Sequence, residues 1–158
     1  MGEKGSIYGV TEQPSGIEIT AYYSKNWSGY QMTPHRHSST EIMHVVRGSV
    51  GILVGDEEFI LHAGELVLID AGQPHAIWMT EKQKCRMLNL EFRPKPEGAL
   101  PFDPVAAGPP YLKKFLYEKR PYLVIHNAQK LLSVLDDVTF EMDQNREDGV
   151  YLFSFWNL

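Results

Sequence analysis

Between Gly16 and Phe92 the apolar residues fall into short runs that alternate with polar positions or close on turn residues. "GIEITAYYS" sets Ile17 and Ile19 against Glu18 and Thr20 and then turns aromatic. "EIMHVVRG" follows Pro34 and ends at Gly48, and "SVGILV" stops at the turn pair Gly55-Asp56. "EEFILHAG" and "ELVLIDAG" each end on Ala-Gly, and "HAIWMTE" and "CRMLNLEF" complete the set. Period-two alternation with a turn signal every ~8–12 residues predicts antiparallel strands in a sandwich or barrel, not βαβ units. Several runs are apolar on both faces. Such strands need cover from a filled interior and from other elements or a partner subunit.

The pattern then changes. Residues 94–110 form a connector: "RPKPEGALPFDPVAAGPP", spanning 93–110, holds six of the ten prolines. Proline removes donors and fixes φ, so neither a helix nor a central strand persists there. Residues 111–158 read as helical. In "HNAQKLLSVLDDVTFEMDQN", with Asn127 as N-cap, Ala128, Leu131, Leu135, Val138 and Met142 recur at spacings of 3, 4, 3 and 4. That stripe suits either a helix pair between two subunits or packing on the barrel, because Leu132 and Phe140 widen it. A further helix starts after Asp148 and stops on "VYLFSFWNL". Exposed Phe, Trp and Leu there predict that the natural chain continues beyond Leu158. The expected division is an extended arm over 1–15, a barrel over 16–93, the connector and the helical segment.

Composition narrows the function classes. The 158 residues suit one domain, and net charge is −5 with no basic run longer than two residues. Direct nucleic-acid binding by this chain is therefore not expected. The single cysteine, Cys85, rules out an internal disulfide and a cysteine-based zinc site, and it reads as a thiol half-buried in a strand. The N-terminus has no apolar signal region, and no apolar run is long enough for a membrane span. The expected location is a reducing cytoplasm, with no membrane partner.

The chemistry concentrates in "TPHRHSSTEIMHVVRG", residues 33–48. On a strand, residues two apart share a face, so His35 and His37 point the same way. Glu41 joins them if the strand is continuous, whereas His44 faces away. Imidazole with carboxylate suits Fe(II), Mn(II), Ni(II), Co(II) or Zn(II). A metal needs a further ligand, which His75 supplies after "DAGQP". His62 and His126 fit no constellation. Taken singly, each histidine also suits an ordinary structural role.

These residues carry a family resemblance. Gly29, His35-Arg36-His37, Glu41 and Gly48 have the spacing of the first cupin motif. Gly64, Asp70-Ala71-Gly72, His75 and Met79 resemble the second, with Asp70 in place of the usual Pro and Met79 in place of the usual Asn. The resemblance implies a small β-barrel of jelly-roll type with a metal in its mouth, held by His35, His37, Glu41 and His75. The metal would be a divalent transition ion such as Zn, Ni, Fe or Mn.

A cupin barrel followed by a proline-rich connector and helices is similar to the N-terminal effector-binding and dimerisation domain of AraC-type transcription regulators. That resemblance implies a small-molecule effector in the barrel, a sugar being one class, and a homodimer through the C-terminal helices. It also implies DNA binding only through a domain absent from this chain. The other reading is a stand-alone metal-dependent cupin enzyme, a dioxygenase or sugar isomerase. Tyr22, Trp27 and Tyr30 are candidates to stack on a ligand, with Trp78 nearby. Arg86, with Arg36 and Arg47, is a candidate to hold a carboxylate. If His75 points inward, Ile77 and Met79 line its cavity and Trp78 points out.

Overall fold

A computed structural model describes residues 17–94, 110, 115, 118–127, 133–135 and 137. Seven strands follow in order: β1 (Ile17–Ser28), β2 (Thr40–Val54), β3 (Glu57–His62), β4 (Leu66–Ile69), β5 (His75–Trp78), β6 (Lys84–Pro94) and β7 (Tyr122–Ile125). All pairings are antiparallel. One sheet runs β1-β6-β2-β4-β7, and β3 and β5 pair with β2 outside that path.

The 15-residue β2 serves both sheets. Its first part, from Thr40, pairs with β6 and β4; its second, from Ser49, pairs with β3 and β5. The change occurs at a register shift between Val45 and Arg47. An extra residue there bends the strand and swaps which side chains face inward. Before it, Met43 and Val45 enter the core; after it, Val50, Ile52 and Val54 do. Gly48 follows with φ 81°, and a Cβ at that position would lie 1.9 Å from the Lys84 carbonyl oxygen. Only glycine fits both the dihedral and the close backbone approach. Gly55, φ 59°, opens the two-residue turn to β3, as a type II′ hairpin requires.

Two apolar clusters result. Between the sheets lie Val45, Val50, Ile52, Leu61, Val67, Ile77 and Met87, all fully buried. Each contributes ~1.5–3 kcal/mol by burial. On the other side of the larger sheet lie Ile42, Leu66, Leu88 and Leu90, together with Phe115 and Leu135. Leu135, from the predicted stripe, thus packs on the sheet, and residues 133–135 are helical.

Three expectations need correction. The segment 111–158 is not helical throughout, because Tyr122–Ile125 forms β7 and extends the sheet beyond β4. Four residues beside Pro121 are too short a run to stand out between two helical patterns. Asn127 has φ 53°, a left-handed backbone that Asn tolerates and not the extended form of an N-cap. His35 and His37 do not lie on a strand continuous with Glu41: residues 36–39 form no strand, and β2 starts at Thr40. The arm over 1–15, most of the connector over 94–110 and the final helix lie outside the described residues. Among the described residues no helix is long and apolar enough to cross a membrane.

Candidate metal centre

Backbone hydrogen bonds assemble the site where the continuous strand was expected. His35 and His75 form an isolated antiparallel bridge, with His35 N donating to His75 O at 3.0 Å and His75 N to His35 O at 2.8 Å. Their rings come to 4.5 Å between centroids. The turn Asp70-Ala71-Gly72 ties down the next histidine, since Gly72 N donates to His37 O at 2.7 Å. Ser39, itself buried, shares a 2.8 Å hydroxyl contact with Thr20 of β1. The loop between His35 and β2 is thus fixed from both sides.

Tautomers follow from these contacts. A carbonyl oxygen only accepts, so His37 Nδ1 donates to Ser39 O at 2.9 Å and His75 Nδ1 to Gln73 O at 2.8 Å. In both rings Nε2 is then the nitrogen nearest Glu41. His75 Nε2 lies 2.7 Å from Glu41 Oε2, and His37 Nε2 lies 3.3 Å from the same oxygen. The His75 contact is within ion-pair reach, yet Nε2 makes no hydrogen bond of acceptable angle. His37 Nε2 is within hydrogen-bond reach of that oxygen, and a cation among the three groups, a ring proton or a metal ion, is what offsets the carboxylate charge. A ring fixed by Nδ1–H to a carbonyl with Nε2 turned inward is also how metal-ligating histidines are held. The donor set therefore fits a divalent transition ion. Ligand atoms of His35, His37 and His75 lie within 4.8 Å of one another, as do those of His37, Glu41 and Glu91.

The titratable groups of the cluster are coupled. Burial alone would raise the Glu41 carboxyl, but contacts with His37 and His75 outweigh it and hold the group at about 2. Contact with Glu41 raises His37 against the effect of burial, and Glu91 adds to the rise. Burial lowers His35, and neighbouring His75 adds to that. Burial and the Glu41 charge push Glu91 up.

Three residues that sequence reasoning passed over belong here. Asn89, 1% exposed, donates from Nδ2 to Glu41 Oε1. Glu91 pairs with Glu41 across β2 and β6 and lies 3.9 Å from His37 Nε2. Tyr23 pairs with Asn89 across β1 and β6. The signal was present in "CRMLNLEF": polar residues 89 and 91 continue the inward row of Cys85 and Met87.

A cavity of about 180 Å³ opens beside the histidines, lined by Tyr23, Trp27, Tyr30, Met32, His35 and Glu91 among others. Trp27 and Tyr30 meet at 4.5 Å between ring centroids, and Lys25 Nζ sits 4.1 Å over the Trp27 ring. The other expected contacts fall elsewhere. Tyr22 packs on the outer cluster with Leu88 and Leu90, because a register shift between Ile19 and Ala21 exchanges the faces of β1. Tyr23 takes the inward place. Arg86 is exposed on the outward side of β6, and Arg36 and Arg47 are exposed too. Ile77 and Met79 belong to the inner core and border a second recess with Pro34 and Leu53, apart from the cavity at His35. Trp78 lies over Gly51, where a Cβ would come within 2.1 Å of its ring. His44 is buried and shares the outward parity of Ile42. His126 pairs with Glu65 at 2.5 Å, far along the chain from the cluster.

No curated protein matches the sequence. Among solved structures, a protein described as ethanolamine utilization protein Q from Salmonella typhimurium LT2 is similar over 51% of this chain and 61% of its own, at 20% identity and TM-score 0.42. This chain thus spans less than two thirds of that protein. The polyketide cyclase RemF from Streptomyces resistomycificus is similar over 62% and 72%, at 21% identity and TM-score 0.43. A cupin-2 domain containing protein from Shewanella frigidimarina NCIMB 400 is similar over 56% and 88%, at 21% identity and TM-score 0.40. The family model described as Cupin_2, cupin domain, matches residues 27–91, which span β2 to β5, most of β6, and every histidine and carboxylate of the cluster.

Proposed function

We propose that the chain binds a divalent transition metal through His35, His37, His75 and Glu41, and a small molecule in the adjoining cavity. The observation that carries this reading is the convergence of His75 Nε2 and His37 Nε2 on one carboxylate oxygen of Glu41, at 2.7 and 3.3 Å, with His35 beside them. When bound, the ion would supply a Lewis-acid centre with positions open toward the cavity. Trp27 and Tyr30 offer flat apolar surface for a ring, and Tyr23 and Glu91 offer polar contacts.

We assign this binding to effector sensing in an AraC-type transcription regulator, as the sequence resemblance implies. Phe115 and Leu135, beyond the connector, pack on Ile42, Leu88 and Leu90 of β2 and β6. Those same strands carry Glu41, Asn89 and Glu91, so a ligand that shifts them acts on the segment packed behind. The second reading is a metal-dependent enzyme, which the four-ligand set beside an open cavity favours. Elemental analysis after reconstitution tests the metal: about one ion per chain is expected, and none would sink the reading. Thermal-shift screening of the loaded protein against small carbohydrates and aromatic acids then separates the two functions. A stabilising compound recovered unchanged supports sensing; catalytic consumption of it, seen by mass spectrometry, overturns sensing in favour of the enzyme.

A further inference from the structure

Asn89 is an amide set in an apolar row. On the inward side of β6 it follows Cys85 and Met87, and it lies opposite Met43 of β2 and Tyr23 of β1. It is almost wholly buried, and its Oδ1 has no hydrogen-bond partner. A buried polar atom left unmet is costly. A methionine or leucine, like its neighbours Met43 and Met87, would fill the space without that cost. Packing therefore does not explain the amide. Its Nδ2 does: it donates to Glu41 Oε1, and the same amide lies against the Tyr23 hydroxyl.

We infer that Asn89 is a positioning residue, whose amide holds one oxygen of Glu41 so that the other faces His37 and His75. The inference rests on the metal-binding reading above. A carboxylate turns freely about its last torsion unless one oxygen is held. Holding Oε1 leaves Oε2 at 2.7 Å from His75 Nε2 and 3.3 Å from His37 Nε2. An amide suits the task because it donates without bringing charge. A Lys or Arg in its place would neutralise the carboxylate and compete with a cation for it. Tyr23 lines the cavity and touches the same amide, so the cavity wall and the candidate ligand share one hold.

The test is a double-mutant cycle on the full chain, reading Co(II) affinity by competition with a chromophoric chelator. Asn89→Leu is expected to weaken Co(II) binding ~10–100-fold, the range for groups that orient metal ligands, and to change the Co(II) absorption spectrum. In a Glu41→Ala background the same substitution is expected to change affinity by less than about twofold. Equal affinity for wild type and Asn89→Leu overturns the inference, and so does an undiminished loss in the Glu41→Ala background. Should Asn89→Leu fail to fold, Asn89→Ser replaces it in the same cycle. Wild-type protein that binds no Co(II) sinks the metal reading and the inference with it. Tight wild-type binding with an indifferent Asn89 variant sinks the inference alone.

Discussion

The inward faces of β2 and β6 hold two different populations of side chains. At one end Val45, Met87 and Cys85 meet, all buried and apolar, and Val50, Ile52 and Leu61 continue the same core. At the other end, a few residues along the same rows, Glu41, Asn89 and Glu91 occupy equivalent inward positions. Both ends are built by one strand pair. The apolar end gains from excluding every polar group. At the polar end Glu41 and Asn89 are buried at a cost that specific partners offset, Asn89 and the histidines for Glu41 and Glu41 for Asn89, while half-buried Glu91 faces His37. The difference separates residues that make the fold from residues that make the site.

The comparison breaks most sharply by deleting volume at the apolar end. Leu61→Ala is expected to cost ~2–5 kcal/mol of stability, read by denaturant titration, while metal stoichiometry stays that of wild type. Loss of metal binding in a still-folded Leu61→Ala protein would show that the two ends are not separable. At the polar end the reverse is expected: His75→Ala lowers metal affinity by more than the ~100-fold seen when an orienting group is lost, with the β-sheet signal by circular dichroism retained.

Acid titration of the chelator-treated protein gives an intermediate effect. The Glu41 carboxyl sits at about 2 in the fold, below its usual value of 4.5. Its contribution to stability is therefore complete above pH 4.5 and is lost as pH falls from there toward 2. Glu41→Gln is expected to remove that part of the pH dependence, and an unchanged acid-unfolding profile would contradict the assignment. Smaller still, Tyr23→Phe removes the second contact on the Asn89 amide while keeping the ring, so metal affinity should fall by less than in Asn89→Leu. Arg86→Ala, outside both ends, is expected to leave metal affinity and stability unchanged, since exposed surface substitutions usually stay within ~0.5 kcal/mol.

Much of this was legible in the residues, and the gaps have one cause. Period-two alternation correctly separates Glu41 and Met43 from Ile42 and His44. It fails where a strand carries an extra residue. The irregularity between Ile19 and Ala21 leaves Ile19 and Tyr22 on the outer face and Tyr23 on the inner, so Tyr22, a candidate to stack on a ligand, packs outside, and the one between Val45 and Arg47 exchanges the faces of β2. Such an irregularity is set by the pairing partner, so one strand's own sequence does not announce it. His35 and His37 reach Glu41 from a loop because backbone bonds to His75 and Gly72 hold them there, which side-chain spacing alone does not reveal. Asn89 stood in plain view as a polar residue in an apolar row. What it does became apparent only with Glu41 beside it.

The central claim is that His35, His37, His75 and Glu41 hold one metal ion. X-ray absorption spectroscopy of the zinc-loaded protein tests it most directly. The account predicts one ion per chain with imidazole nitrogens and a carboxylate oxygen in its inner shell at ~2.0–2.2 Å, and an altered shell in His75→Ala. A shell without imidazole, or one identical in wild type and His75→Ala, would contradict it.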